Sequence, residues 1–461
     1  MCHFGFFSAR FTAQALRRSR EAHARGTQGS PKTSFQVFIW ALVLQAIAGS
    51  GSLGHHLRML AAVKLSDSAA IQRKAGLNWA FFESLFQSVF APLADRKKHP
   101  DCFYRGHLLL GLDGTQFSLR NTLSVKSLAR KRPGNQHGVK AAFLKWTGAV
   151  LVELGTHQPL GAGCMRERPG PAEGELTIAK RALPGVPRNS ATLILADRLY
   201  GCGRFARDVA QACGPKCRLL MRVKNQLKAK VLRVLKDGST LVKVNVYTPG
   251  GANRDGTETL REIRGRIWRK TPSSSSATPS AKAPRKTATA LEIRLWTTLL
   301  DETLYPAEDL LRLYSQRWEH ELFYRELKQH LSRDSLLSSE SAAAAEVEFG
   351  ALLIAASLIA QQRLEAALAV GLPPLRLSLL KIKHGLEMLV GVLSMAGDLL
   401  GESERGQIMG RVLKTIGQQA IIPARRQRSC PRGLCRPISD WPRIKSRCDE
   451  PGQWICEVLR A

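Results

Sequence analysis

Tyr314-Ser-Gln-Arg317-Trp-Glu-His-Glu321-Leu-Phe-Tyr-Arg-Glu-Leu-Lys328 is the most informative stretch of this 461-residue chain. At about 100° per residue, a helix places Tyr314, Arg317, Glu321 and Lys328 within about 60° of one another, on one narrow stripe. A lone carboxylate flanked by two cations and a phenol suits metal and phosphate better than it suits a hydrophobic core. A solvated helix face with i,i+4 ion pairs would give the same pattern.

Two further carboxylates stand at the ends of apolar runs. His107-Leu-Leu-Leu-Gly-Leu-Asp113-Gly-Thr reads as a buried strand that ends in a carboxylate and a glycine turn, and Ala191-Thr-Leu-Ile-Leu-Ala-Asp197-Arg-Leu-Tyr-Gly reads the same way. An Asp after a strand is often only a turn former. Burying one beside Leu and Ile is costly unless a cation compensates it. Asp113, Asp197 and Glu321 form an all-oxygen set suited to two Mg²⁺ or Mn²⁺ ions. They are separated by 84 and then 124 residues.

From Leu291-Glu-Ile-Arg-Leu-Trp-Thr-Thr-Leu-Leu-Asp301 through Pro306 into Tyr314–Lys328, the chain resembles the DDE transposases of the insertion-sequence-four family. Their hallmark is a Tyr, two residues, Arg, three residues, Glu, six residues and Lys, and all four letters occur here at that spacing. The "LDGT" around Asp113 and "ADRLYG" around Asp197 are similar to the family's two aspartate motifs. The resemblance covers roughly residues 33 to 445. It implies an α/β fold with a ribonuclease H-like catalytic core, Asp113, Asp197 and Glu321 as catalytic metal ligands, and Tyr314, Arg317 and Lys328 as contacts to the phosphates of a transposon end. It also implies double-stranded DNA as partner, both terminal inverted repeats and target, and a homodimer in the synaptic complex. Because such relatives keep an aromatic in this region, Trp268 and Trp296 are candidates for stacking on a flipped base. Two other classes share some of this pattern. A ribonuclease H-like nuclease or resolvase would need the carboxylates but not the Tyr-Arg-Glu-Lys stripe. A catalytically inactive DNA-binding remnant would keep the letters without the activity.

Composition agrees. Lys and Arg number 69 against 37 Asp and Glu, a net charge of +32 and a pI near 10.3. Such a field draws polyanions, nucleic acid above all, with counterion release as the driving force. The ten cysteines make no disulfide framework at this length, and no secretory leader is evident. The expected setting is the bacterial cytoplasm, on the nucleoid. Val37–Gly54 carries no charge over 18 residues but has a polar second half, so it reads as a buried helix and no membrane partner is expected. Cys430, Cys435, Cys448 and Cys456 fit no usual zinc spacing.

The expected organisation is a basic segment over 1–30, a helical DNA-binding domain over 31–103, and a first stretch of the ribonuclease H-like core over 104–226. A β-rich insertion with a Ser-rich loop then spans 227–290. The core resumes over 291–340 with the Glu321 helix, and helices with a basic tail span 341–461. Core strands are expected over 141–144, 149–154, 193–196 and 218–223, with helices over 174–183 and 203–213. Ser66 is expected to cap a helix, and Asp237-Gly238 to turn a hairpin. Thr271–Thr289 reads as a flexible loop. The tail from Pro423 to Arg447, with eight Lys and Arg against one Asp, reads as a phosphate clamp or a solvated tail.

Overall fold

The computed structural model describes residues 12–23, 34–61, 65–120, 122, 144–166, 173–248, 253–269, 291–332, 336–396, 399–422 and 454–459. The Ser-rich stretch, the basic tail, Cys430, Cys435 and Cys448 lie outside these residues, as do the side chains of Trp268 and Cys456. The chain forms two compact units. One comprises 1–199, 208–218 and 316–421, and the other 200–207, 219–315 and 422–461.

The first unit opens with helices α1 (Ala13–His23), α2 (Phe35–Ala48), α3 (Leu53–Ala61), α4 (Asp67–Ala75) and α5 (Trp79–Val89). Their starts follow ordinary capping chemistry: Ser34, Ser66 and Asn78 each accept a hydrogen bond from the backbone N–H three residues on, at 3.2, 3.2 and 3.0 Å. Helix α2 is apolar on nearly every side and is buried accordingly.

The sheet of this unit contains a short β1 (Phe103–Tyr104), the long β2 (His107–Leu119), β3 (Leu144–Glu153), β4 (Gln158–Cys164) and β5 (Thr192–Ala196), with helix α6 (Glu175–Lys180) between the last two. Their order is β4-β3-β2-β5. β3 runs antiparallel to β2 and β4, whereas β5 lies parallel to β2. The Thr192 N–H donates to the Lys216 carbonyl at 3.1 Å, just before a fifth strand, β6 (Cys217–Arg222), begins. Three antiparallel strands followed by a parallel strand beside the first are the start of a ribonuclease H-like arrangement. Helix α7 (Gly203–Cys213) falls where the sequence placed it. The sequence reading split β3 in two and missed β4, whose Pro159, Gly161 and Gly163 lower its apparent strand propensity. Gly161 and Gly163 are needed: a Cβ on them would lie 2.2 Å from the carbonyls of Ala182 and Ile178.

Beyond β2 and β5 this unit resumes with α9 (Trp318–Glu326), α10 (Ala342–Val370), α11 (Leu379–Ala396) and α12 (Glu402–Ala420). Ser341 caps α10, and Gly371, at φ +68°, ends it. Helix α10 is long and apolar enough to cross a membrane, yet most of it is buried within this unit. Phe349 on α10 packs against Phe117, Trp146 and Trp79 with ring centroids 5.7, 5.2 and 5.9 Å apart. Gly148 of β3 makes room for it, since a Cβ there would come within 2.7 Å of the Phe349 ring.

The second unit is an antiparallel sheet in the order β6, β10 (Leu291–Thr297), β9 (Arg254–Arg269), β8 (Thr240–Tyr247) and β7 (Lys230–Val234). A further strand, β11 (Trp454–Val458), pairs with β9. The β7–β8 turn is Asp237-Gly238, with Gly238 at φ +82°. Asp237 does more than turn the chain: it pairs with the fully buried Arg261 and accepts the N–H of Ala307, the first residue of helix α8 (Ala307–Tyr314), at 2.9 Å. Trp296 belongs to this core. It is buried, and its ring N–H donates to Glu262 at 2.8 Å, so it is not free to stack on a base and the sequence expectation for it is corrected.

Candidate active site

The last paired residues of the parallel strands β2 and β5 are Leu112 and Ala196. Asp113 and Asp197 come next, so they stand at the same level on strands about 4.8 Å apart. Each Asp follows a buried apolar run, but only β5 ends there: β2 continues past Asp113 to Leu119, paired with β3, so the strand end and glycine turn expected at Asp113 do not form. Asp113 accepts the N–H of Gly114 at 2.9 Å. Burial pushes its carboxyl up to about 7; the charges of Glu175 and Asp197 add to the rise, while Arg317 and the Gly114 N–H oppose it. Glu175, at the start of α6, is a fourth carboxylate that sequence reading missed. It lies against Gly114, where a Cβ would meet its carboxyl carbon at 2.2 Å. No spacing or motif signals it, because a Glu in a first helical turn is ordinary.

Helix α9 brings in Glu321. Arg317 lies between two of the acids: its guanidinium ion-pairs with Glu321 and stands 3.5 Å from Asp113. The helix is fastened to the sheet by side chains of its inner face. His320 is buried and its pKa is pushed down to about 3 by burial, so it is neutral and its Nε2–H donates to the Val150 carbonyl at 2.9 Å. Tyr324 donates its hydroxyl hydrogen to the Asp113 carbonyl at 2.5 Å and accepts the Val150 N–H at 3.1 Å. One phenol therefore ties the Glu321 helix to the strand pair carrying Asp113. Gly111 lets the helix approach so closely, since a Cβ there would lie 2.6 Å from the His320 ring. Tyr324→Phe would leave the Val150 N–H without this acceptor. The expected cost is about 1–3 kcal/mol of stability, read as a lower Tm, together with a lower kcat from a less firmly held Glu321.

The straight stripe expected from the sequence is not what forms. The helical path changes pitch three times: α8 ends at Tyr314, a 3₁₀ turn spans Ser315–Arg317, α9 follows, and a π turn spans Leu327–Leu331. A constant 100° step therefore fails across the motif. Arg317 links Glu321 to Asp113, and Asp197 stands beside Asp113 across the parallel strand pair. Lys328 sits on the π turn, its ammonium 5.4 Å from the centre of the Phe117 ring. Tyr314 is buried at the end of α8, in the other compact unit.

Among the described residues, no three acid, imidazole or thiol side chains already converge at metal-binding distance. The donor set nonetheless fits a hard divalent cation. It is all oxygen, and burial, the main cause of the raised Asp113 pKa, leaves a carboxylate whose charged form a bound cation would stabilise.

A mixed sheet with one aspartate within β2 and another just past the end of the parallel β5, and a glutamate-bearing helix packed on that sheet, is the arrangement that the comparisons with known proteins meet. The chain belongs to the transposase DDE domain family, whose model matches residues 105–358. It is 35% identical over 142 residues, 30% of each chain, to the transposase InsG for insertion sequence element IS4 from Escherichia coli (strain K12). The matched region thus spans less than a third of that curated relative. A piggyBac transposase, solved by cryo-EM as a synaptic complex with hairpin DNA, superposes with a TM-score of 0.45 at 11% identity, covering 89% of this chain and 84% of that one.

Proposed function

We propose that this chain is a DNA transposase that binds the inverted-repeat ends of an insertion sequence, cuts one strand there and joins the freed end to target DNA. The observation that supports the reading is the in-register position of Asp113 and Asp197, with α9 tied to the Asp113 strand by Tyr324 and Glu321 linked to Asp113 through Arg317. Asp113, Asp197 and Glu321 would hold two Mg²⁺ or Mn²⁺ ions, which supply Lewis acidity and lower the pKa of a bound water. The protein's own residues do the positioning. Tyr324 and His320 fix the height of Glu321 over β2 and β3. Arg317 and Lys328 offer positive charge to the phosphates beside the scissile bond, with Tyr314 as a third contact expected from the family motif. The reaction first frees a 3′-hydroxyl by hydrolysis, and that hydroxyl then attacks a target phosphodiester at the same carboxylates. We place this work in the bacterial cytoplasm, with two copies of the chain bringing two ends together.

The deciding experiment supplies the purified chain with Mg²⁺ and a duplex copied from the DNA that flanks its reading frame. The expected products are a cut at the element end and a covalent joint to a plasmid. Cutting without joining would identify a nuclease instead. Arg317→Ala and Lys328→Ala are each expected to lower the salt dependence of end binding by about one unit of slope. An unchanged slope would return the motif to a solvated helix face.

A further inference from the structure

Lys145, at the start of β3, is the register partner of Ser118 near the end of β2, and its ammonium donates to the Ser118 hydroxyl at 2.7 Å. The preceding residue, Phe117, carries the Lys328 ammonium over its ring. Successive side chains of a strand face opposite ways, so the two lysines reach the end of β2 from its two faces. They are close enough for the charge of Lys145 to lower the pKa of Lys328, after burial, the larger cause. Among the described residues, neither ammonium is paired with a carboxylate. Two partly buried like charges without a counter-charge repel each other, and a bound anion relieves that repulsion.

We propose that Lys145, with Lys328, seats backbone phosphates of the DNA strand that leads into the carboxylate cluster, an inference that rests on the transposase reading. Five residues of strand separate Ser118 from Asp113, about 17 Å. That length corresponds to about five base-pair steps of duplex along its axis, so the seated phosphates lie within about five nucleotides of the scissile bond. The contact is independent of base sequence, because an ammonium on a phosphate fixes position and carries no base readout.

The test measures binding of the element-end duplex by fluorescence anisotropy over a salt series in EDTA. Lys145→Ala should weaken binding several-fold and lower the slope of log affinity against log salt by about one. Lys145→Arg should keep the slope, and circular dichroism should show both variants folded. A scan of single methylphosphonates, each removing one phosphate charge within five nucleotides of the cut, should reveal a position that weakens binding of the parent protein but not of Lys145→Ala. An unchanged slope and an identical methylphosphonate profile would overturn the proposal. If the parent cuts and joins DNA while Lys145→Ala binds like it, the phosphate seat alone falls. If the parent neither cuts nor joins but Lys145→Ala still lowers the slope, the seat stands and the transposase reading falls.

Discussion

Asp113→Ala, Asp197→Ala and Glu321→Ala are each expected to lower Mg²⁺-dependent cleavage of an end substrate by on the order of 10³-fold or more, while DNA binding stays close to that of the parent. The three groups act as one unit, so a double replacement should cost little more than a single one. Binding survives because the grip on DNA comes from cations spread over a chain of net charge +32, to which a lost carboxylate adds rather than subtracts. Single-turnover cleavage and gel-shift binding on the same preparations separate the two effects. Cleavage near the parent rate by any one variant would remove that residue from the site.

Arg363→Ala should have the largest effect on folding. Arg363 is almost wholly buried on α10, where it pairs with Glu326 at 3.0 Å and donates to the Thr156 carbonyl at 3.0 Å. Glu326, at the end of α9, also accepts from the buried His157 at 2.6 Å. Removing the guanidinium leaves the carboxylate short of its main counter-charge at the foot of the Glu321 helix. Losses of about 3–5 kcal/mol are usual for such breaks. Thermal unfolding reads the loss directly, and a Tm within a degree or two of the parent would refute it. The pair also predicts an acid limb. Burial alone would raise the Glu326 pKa, but Arg363 and His157 outweigh it and hold the group down at about 2, against an ordinary 4.5. A carboxyl depressed in the folded state contributes its full stability above the ordinary value. That contribution is lost as pH falls from about 4.5 towards 2. Glu326→Gln should therefore be less stable than the parent at neutral pH and show a shallower decline across that window.

The candidate residues were legible in the sequence because their chemistry conflicts with their surroundings. Asp113 and Asp197 end runs of Leu, Ile and Ala, and a carboxylate in that position needs a reason. The Tyr-Arg-Glu-Lys spacing pointed to the helix that carries Glu321. What spacing alone could not show was pitch, since it carries no mark of the 3₁₀ and π turns on either side of α9. Tyr324 and His320 were hidden in plain view inside the motif. An aromatic and an imidazole on an amphipathic helix read as core, and only the strand beneath shows that both hydrogen-bond to Val150. Glu175 and Lys145 were out of reach because each acts through a neighbour distant in sequence, Gly114 and Ser118 respectively. Trp296 misled for the opposite reason. A tryptophan in a strand of a DNA-binding family invites stacking, whereas its N–H is already committed to Glu262.

The second unit interrupts the first between residues 218 and 316, so to the first unit the stretch 219–315 is a single closed loop. In polymer terms, the entropy of closing such a loop rises only with the logarithm of its length. Twenty further residues in a loop of roughly 100 would cost about 0.2 kcal/mol, less than the loss of one hydrogen bond. The length of the insertion is therefore nearly invisible to the stability of the unit that holds Asp113, Asp197 and Glu321. Expansions or contractions there are expected to accumulate almost neutrally, while a single methyl group added at Gly111 or Gly148 would be rejected.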